Sequence, residues 1–187
     1  AVQPVIEYRW TDDLKEIPYY RYRDSQQAFF DSWEESQAPF AIIEGSAATF
    51  LVPICDKNNI LNSSYGNKKE VYRFKTLDEM LDWYASFVKQ YDAYSGLDYY
   101  AKDPWNQDIR AKFFIKANAH GAGQAYYTTD HSAYNGKSLE TYLVRDWLSL
   151  HEFGHGYEGA IASQENPFVE TTNNILGYYF EPTYRPA

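Results

Sequence analysis

The chain has a single cysteine, which excludes an internal disulfide and any metal site built from several thiolates. That residue, Cys55, ends the apolar run 50–55 and is expected to be a buried structural thiol. No apolar run approaches the length of about 18 residues that a membrane-spanning helix needs. The first residues, Ala1-Val2-Gln3-Pro4, form neither a basic nor an apolar signal segment, so either the protein is cytosolic or a signal preceded this chain. The last ones, Pro182-Thr183-Tyr184-Arg185-Pro186-Ala187, read as a cut within a loop and predict an excised piece of a longer protein. Basic residues are scarce. Seventeen Lys and Arg against 26 Asp and Glu leave a net charge of -9, which repels phosphate backbones and anionic lipid. Nucleic acid and membrane surface are therefore not expected partners.

Apolar and aromatic residues are plentiful. A hydrophobic fraction of 44% over 187 residues supports a sizeable core in one domain, or one domain and part of another. Aromatics make up 19%, with 19 Tyr, a surplus that suits both a core and a surface gripping glycans or peptides. No repeat, low-complexity tract or linker divides the chain.

Residues 24–36 read as a helix capped by Asp24 or Ser25, with Phe29, Phe30 and Trp33 on one side. Strands are expected at 39–45 and 48–53 around a Gly-Ser turn, and a polar loop over 56–70. Thr76-Leu77-Asp78-Glu79 forms a capping box, in which hydroxyl and carboxylate satisfy N–H groups at a helix start. Behind it Leu77, Met80, Leu81, Tyr84, Phe87, Val88 and Tyr91 recur at helical spacing, up to a stop near Ser95-Gly96. Two further strands are expected at 111–117 and 123–129. A helical stretch should begin at Ser138, another should carry Trp147, Leu148 and Leu150, and a last one should begin at Asn166-Pro167. This order predicts an α+β fold.

Residues 151–155 read His-Glu-Phe-Gly-His. On a helix, positions i and i+4 share one face, so two imidazoles there can reach one Zn²⁺. Glu152 then lies beside the metal, where it can take a proton from an attacking water. With only four His in the chain the pattern is rare by chance, and the preceding Trp147-Leu148-Ser149-Leu150 suits a buried helix. Gly154, Gly156 and Gly159 would each weaken a helix by about 1 kcal/mol relative to Ala. Their presence predicts close approach of another backbone or of substrate.

A third ligand must come from downstream acids. Glu158 is too far along the axis from His151 to bind the same metal, but it can accept from an imidazole N–H. Glu165 falls in the expected loop, and Glu181 lies farther on. Glu170 sits one turn inside the last helix, with Asn173 and Asn174 on the same face, and is the expected ligand. Two His and one Glu leave a fourth position for water, as catalytic zinc requires. His120 and His131 are then expected to be non-ligands. His120, Tyr126, Tyr178 and Tyr179 are candidate oxyanion donors, and Glu158 and Asn174 candidate supports of the ligands.

These residues carry a resemblance. His151-Glu152-Phe153-Gly154-His155 followed by Glu170-Thr171-Thr172-Asn173-Asn174 resembles the enhancin-like zinc metallopeptidases, which include viral enhancins and bacterial mucin-degrading proteases. The segments 39–45, 94–97 and 121–127 are also similar, so the likeness runs over roughly residues 35–180. It implies a gluzincin-type catalytic domain across 1–187: a small twisted sheet, an active-site helix and a following helix that bears the Glu. It implies His151, His155 and Glu170 as zinc ligands, Glu152 as general base, and a secreted or cell-surface enzyme acting on mucin-like, O-glycosylated proteins; a monomer is expected. Family domains continue into a C-terminal helical lobe, which this chain is expected to lack. Two rival readings remain. A glycan-binding module with an inert metal site would bind glycan regardless of chelator. A general gluzincin peptidase would not distinguish glycosylated from bare peptide.

Overall fold

The computed structural model describes residues 16–62, 72–108, 112–121, 123–158 and 169–181. Among these residues six strands make one mixed sheet: β1 (Tyr19–Arg21), β2 (Phe40–Glu44), β3 (Ala48–Pro53), β4 (Phe113–Asn118), β5 (Ala125–Tyr127) and β6 (Ser132–Asn135). Their order is β1-β2-β3-β4-β6-β5. The β2/β3 and β5/β6 pairs are antiparallel hairpins, and β1/β2, β3/β4 and β4/β6 are parallel. The second hairpin thus inserts its later strand against β4 and leaves β5 on the edge. Among the described residues four helices accompany the sheet: α1 (Gln26–Ser36), α2 (Leu77–Tyr94), α3 (Trp147–His155) and α4 (Val169–Phe180).

Helices α1, α2 and α3 begin where side chains satisfy free N–H groups. Ser25 caps α1 by accepting from the Ala28 N–H, and Asp146 caps α3 by accepting from the Leu148 N–H. At α2 the Thr76 hydroxyl accepts from the Glu79 N–H at 3.0 Å, while the Glu79 carboxylate reaches one residue beyond the usual box, to the Lys75 N–H at 2.6 Å. Thr76→Ala is expected to cost about 1 kcal/mol. A thermal melt should show a Tm lower by about 2–4 °C, the usual shift per kcal/mol at this chain length. A Tm equal to that of the wild type would mean the cap contributes nothing.

The core lies between sheet and helices. Leu77, Met80, Leu81, Tyr84, Phe87, Val88 and Tyr91 are all buried along α2, as their spacing predicts. Phe153 of α3 packs its ring on Phe87 and Phe113 at 5.0 and 4.4 Å, joining both helices to β4. Among the described residues Tyr20, Tyr84, Tyr91, Tyr142 and Tyr157 are buried in this core, and their hydroxyls reach polar partners. Tyr84 donates to the Tyr142 carbonyl, Tyr91 to the Leu150 carbonyl and Tyr157 to the Val88 carbonyl. These bonds tie α2 to the segment bearing the two histidines.

Several expectations are corrected. β1 and β6 carry no alternating pattern long enough to read: one has three residues, the other is Ser-Ala-Tyr-Asn. β5 is shorter than 123–129, because Thr128 already turns back toward His131. The helical stretch at Ser138 is a single 3-10 turn, Glu140–Leu143. Cys55 is exposed, not buried. β3 ends at Pro53, and in the 3-10 turn that follows it is Asp56 that points inward, accepting from Ser138 and from the Leu139 N–H. The expected start at Asn166-Pro167, and part of the 56–70 loop, lie outside the described residues.

Candidate metal centre

Three elements build the cleft: α3, the first turns of α4, and the edge strand β5 with the turn after it. Helix α3 places His151 and His155 one turn apart, with ring centroids 5.0 Å apart and planes at 87°. Helix α4 crosses against α3 so closely that a Cβ added to Gly154 would lie 2.5 Å from the Asn173 Cβ and 2.6 Å from its Cα. Only a residue without a side chain fits there. The crossing brings Glu170 to the imidazoles, with its Oε2 3.3 Å from His151 Nε2 and 3.8 Å from His155 Nε2. One donor atom from each of His151, His155 and Glu170 lies within 4.8 Å of the others. A Cβ on Gly156 would meet the Tyr127 hydroxyl at 2.9 Å, so that glycine admits the edge strand beside α3.

The donor set fits a divalent cation. His151 Nδ1 lies 2.9 Å from the Asn174 Oδ1, and His155 Nδ1 lies 2.9 Å from the Glu158 Oε1. Both acceptors hold the proton on Nδ1, which leaves each Nε2 lone pair free to bind metal. Asn174 and Glu158 are thus the hydrogen-bond partners of the two imidazoles.

Glu152 is 4% exposed and lines the same cleft as the two histidines. Burial pushes its carboxyl above the ordinary glutamate range. His151 and His155 oppose that rise, and Glu170 adds to it. A carboxylate with raised proton affinity suits proton transfer near neutral pH better than an ordinary one.

The other candidates fall outside this cluster. His120 is exposed in the β4–β5 connection, beyond the residues lining the cleft. Tyr126 lines the cleft, but its hydroxyl lies 3.1 Å from His131 Nε2 and 3.2 Å from Asn118 Nδ2. Since Tyr127 projects toward α3, Tyr126 as its strand neighbour projects to the opposite face. His131 is half-buried in that network, held also by Thr128 and Asp130. Tyr178 and Tyr179 are 66% and 58% exposed and line a neighbouring groove with Trp147 and Ile175. Thr128 and Thr129, expected within the strand 123–129, border the cleft from the turn after β5. Sequence reasoning noted Asn173 only for its place on the face of Glu170, and the structure brings its amide to both imidazoles. The signal was its position one turn after Glu170.

A mixed sheet whose edge strand flanks a two-histidine helix, backed by a helix bearing a carboxylate, defines a zincin-type α+β domain. The family described as Peptidase M60, enhancin and enhancin-like matches residues 15–187, and the chain belongs to that family. Among curated relatives, the viral-enhancing factor of Trichoplusia ni granulosis virus is 26% identical over 169 residues, which is 86% of this chain and 16% of that protein. Among solved structures, a functionally unknown conserved protein from Bacillus anthracis superposes with a TM-score of 0.70 at 16% identity, covering 89% of this chain and 34% of that one. The M60 catalytic domain of Clostridium perfringens ZmpC, solved in complex with the sialyl T antigen, gives 0.66 at 17% identity, covering 91% and 33%. The chain spans about a third of these solved chains and about a sixth of the curated relative. Among the described residues no helix is long and apolar enough to cross a membrane.

Proposed function

We propose that this chain is the active-site part of a secreted or cell-surface zinc endopeptidase that cleaves mucin-like, O-glycosylated proteins, working as a monomer. The observation that carries the reading is the convergence of His151 Nε2, His155 Nε2 and Glu170 Oε2, with the buried Glu152 carboxylate beside them. Zinc held by those three groups would supply a Lewis acid and a water of lowered pKa. Glu152 accepts the proton of the attacking water and delivers it to the leaving amine. The edge strand β5 borders the cleft, where an extended substrate can add as a further strand. Asn174 and Glu158 keep the two imidazoles in the ligating tautomer. The preference for glycosylated substrate rests on the family and on the ZmpC complex with a glycan, and belongs to this chain as a proposal.

The test is a digest of one peptide sequence in O-glycosylated and bare forms, with and without chelator. Chelator-sensitive cleavage of the glycosylated form is expected. Equal cleavage of both forms would leave a general peptidase. Glycan binding indifferent to chelator, without cleavage, would leave an inert binding module.

A further inference from the structure

The Asn173 side chain is fully buried on the face of α4 that packs against α3. Its Nδ2 lies 3.3 Å from both ring nitrogens of His151, and 3.0 and 3.5 Å from Nε2 and Nδ1 of His155. Equal approach to both nitrogens of an imidazole places the amide over the ring face. An in-plane position would collide with Cε1. One N–H₂ group therefore covers the faces of two perpendicular rings, as a weak N–H···π donor. The same nitrogen lies 3.5 Å from Glu170 Oε2, and Asn173 Oδ1 accepts from the Asn174 N–H at 2.7 Å. The carboxamide is thus oriented from its own helix before it meets the histidines.

We propose that Asn173 is a positioning residue for the metal centre: its amide, held over both imidazole faces, sets the tilt at which the two Nε2 atoms converge. The proposal rests on the zinc reading of the site. Asn174 and Glu158 each fix one ring by its Nδ1 and leave rotation about that hydrogen bond open. An atom over the faces of both rings removes that rotation for the pair at once. The lone pairs stay in the ring planes, so the contact does not compete with a cation.

The test is Asn173→Leu, similar in shape but without the donor, measured on the whole chain. Zinc affinity is read by competition with a chromophoric chelator, ring geometry by the visible absorption of the Co²⁺-substituted protein, and packing by the Tm of the metal-free protein. Zinc affinity is expected to fall about 10–100-fold, the usual loss when a partner of a metal ligand is removed. The Co²⁺ bands should shift while the metal-free Tm stays close to wild type. Unchanged affinity and bands would overturn the proposal, as would a loss of affinity accounted for by a lower metal-free Tm. Should Asn173→Leu not fold, Asn173→Asp keeps shape and the Oδ1 acceptor but removes the donor. Its Co²⁺ bands are expected to shift, and unchanged bands overturn the proposal. A wild-type chain that binds neither zinc nor Co²⁺ sinks the zinc reading itself, whereas normal wild-type binding with an indifferent variant sinks only the role of Asn173.

Discussion

Glu152→Gln is expected to retain zinc and lose cleavage by about 10²–10⁴-fold, the range that general acid–base catalysis contributes. The substitution keeps the size of a side chain that is 4% exposed in the cleft wall, so α3 and the imidazoles should not move. It removes the basic oxygen while leaving an amide that can still hydrogen-bond a water. Burial also raises the proton affinity of Glu152, despite two histidines beside it. Metal content measured alongside turnover separates the causes. Full metal with lost turnover supports proton transfer, and lost metal would reassign Glu152 to holding the ion. Wild-type turnover by the variant would remove Glu152 from the chemistry altogether.

Gly154→Ala should damage stability and metal binding together. The added methyl would sit 2.5 and 2.6 Å from the Cβ and Cα of Asn173, against an ordinary carbon contact of about 3.5–4.0 Å. Neither atom can rotate away, because both are fixed to the α4 backbone, so the helices must separate by about 1 Å to restore that contact. Overpacking of this kind costs about 1–3 kcal/mol. Helix propensity acts in the opposite direction by about 1 kcal/mol, so the two effects overlap at their extremes. The clash should win, because it is against backbone-anchored atoms rather than the end of a flexible side chain. It also widens the crossing that brings Glu170 to within 3.3 Å of His151. A lower Tm and weaker zinc binding are expected in the same variant. A variant more stable than wild type, with unchanged affinity, would show that the two helices do not meet at Gly154.

The parts readable along the chain were those governed by local periodicity. The α2 stripe, the Thr76 cap and the placement of His151 and His155 on one face all follow from 3.6 residues per turn and from the need to satisfy free N–H groups. The three glycines at 154–159 announced a close approach without naming the partner. For Gly154 the partner is Asn173, 19 positions later.

By itself, then, the sequence determined which residues could act: two imidazoles at helical spacing, a carboxylate between them, and a short list of acids downstream. The sequence named Glu170 as the expected third ligand, but tertiary structure brings it there, because Glu170 reaches the histidines through the crossing of α4 over α3. Tertiary structure also decided that Tyr126 turns to His131 and that β5 lies on the edge, since strand order depends on β6 inserting against β4. The physical reason is range. Periodicity and capping act over a turn or two of chain, whereas strand order and helix crossing depend on shape complementarity between segments far apart in sequence.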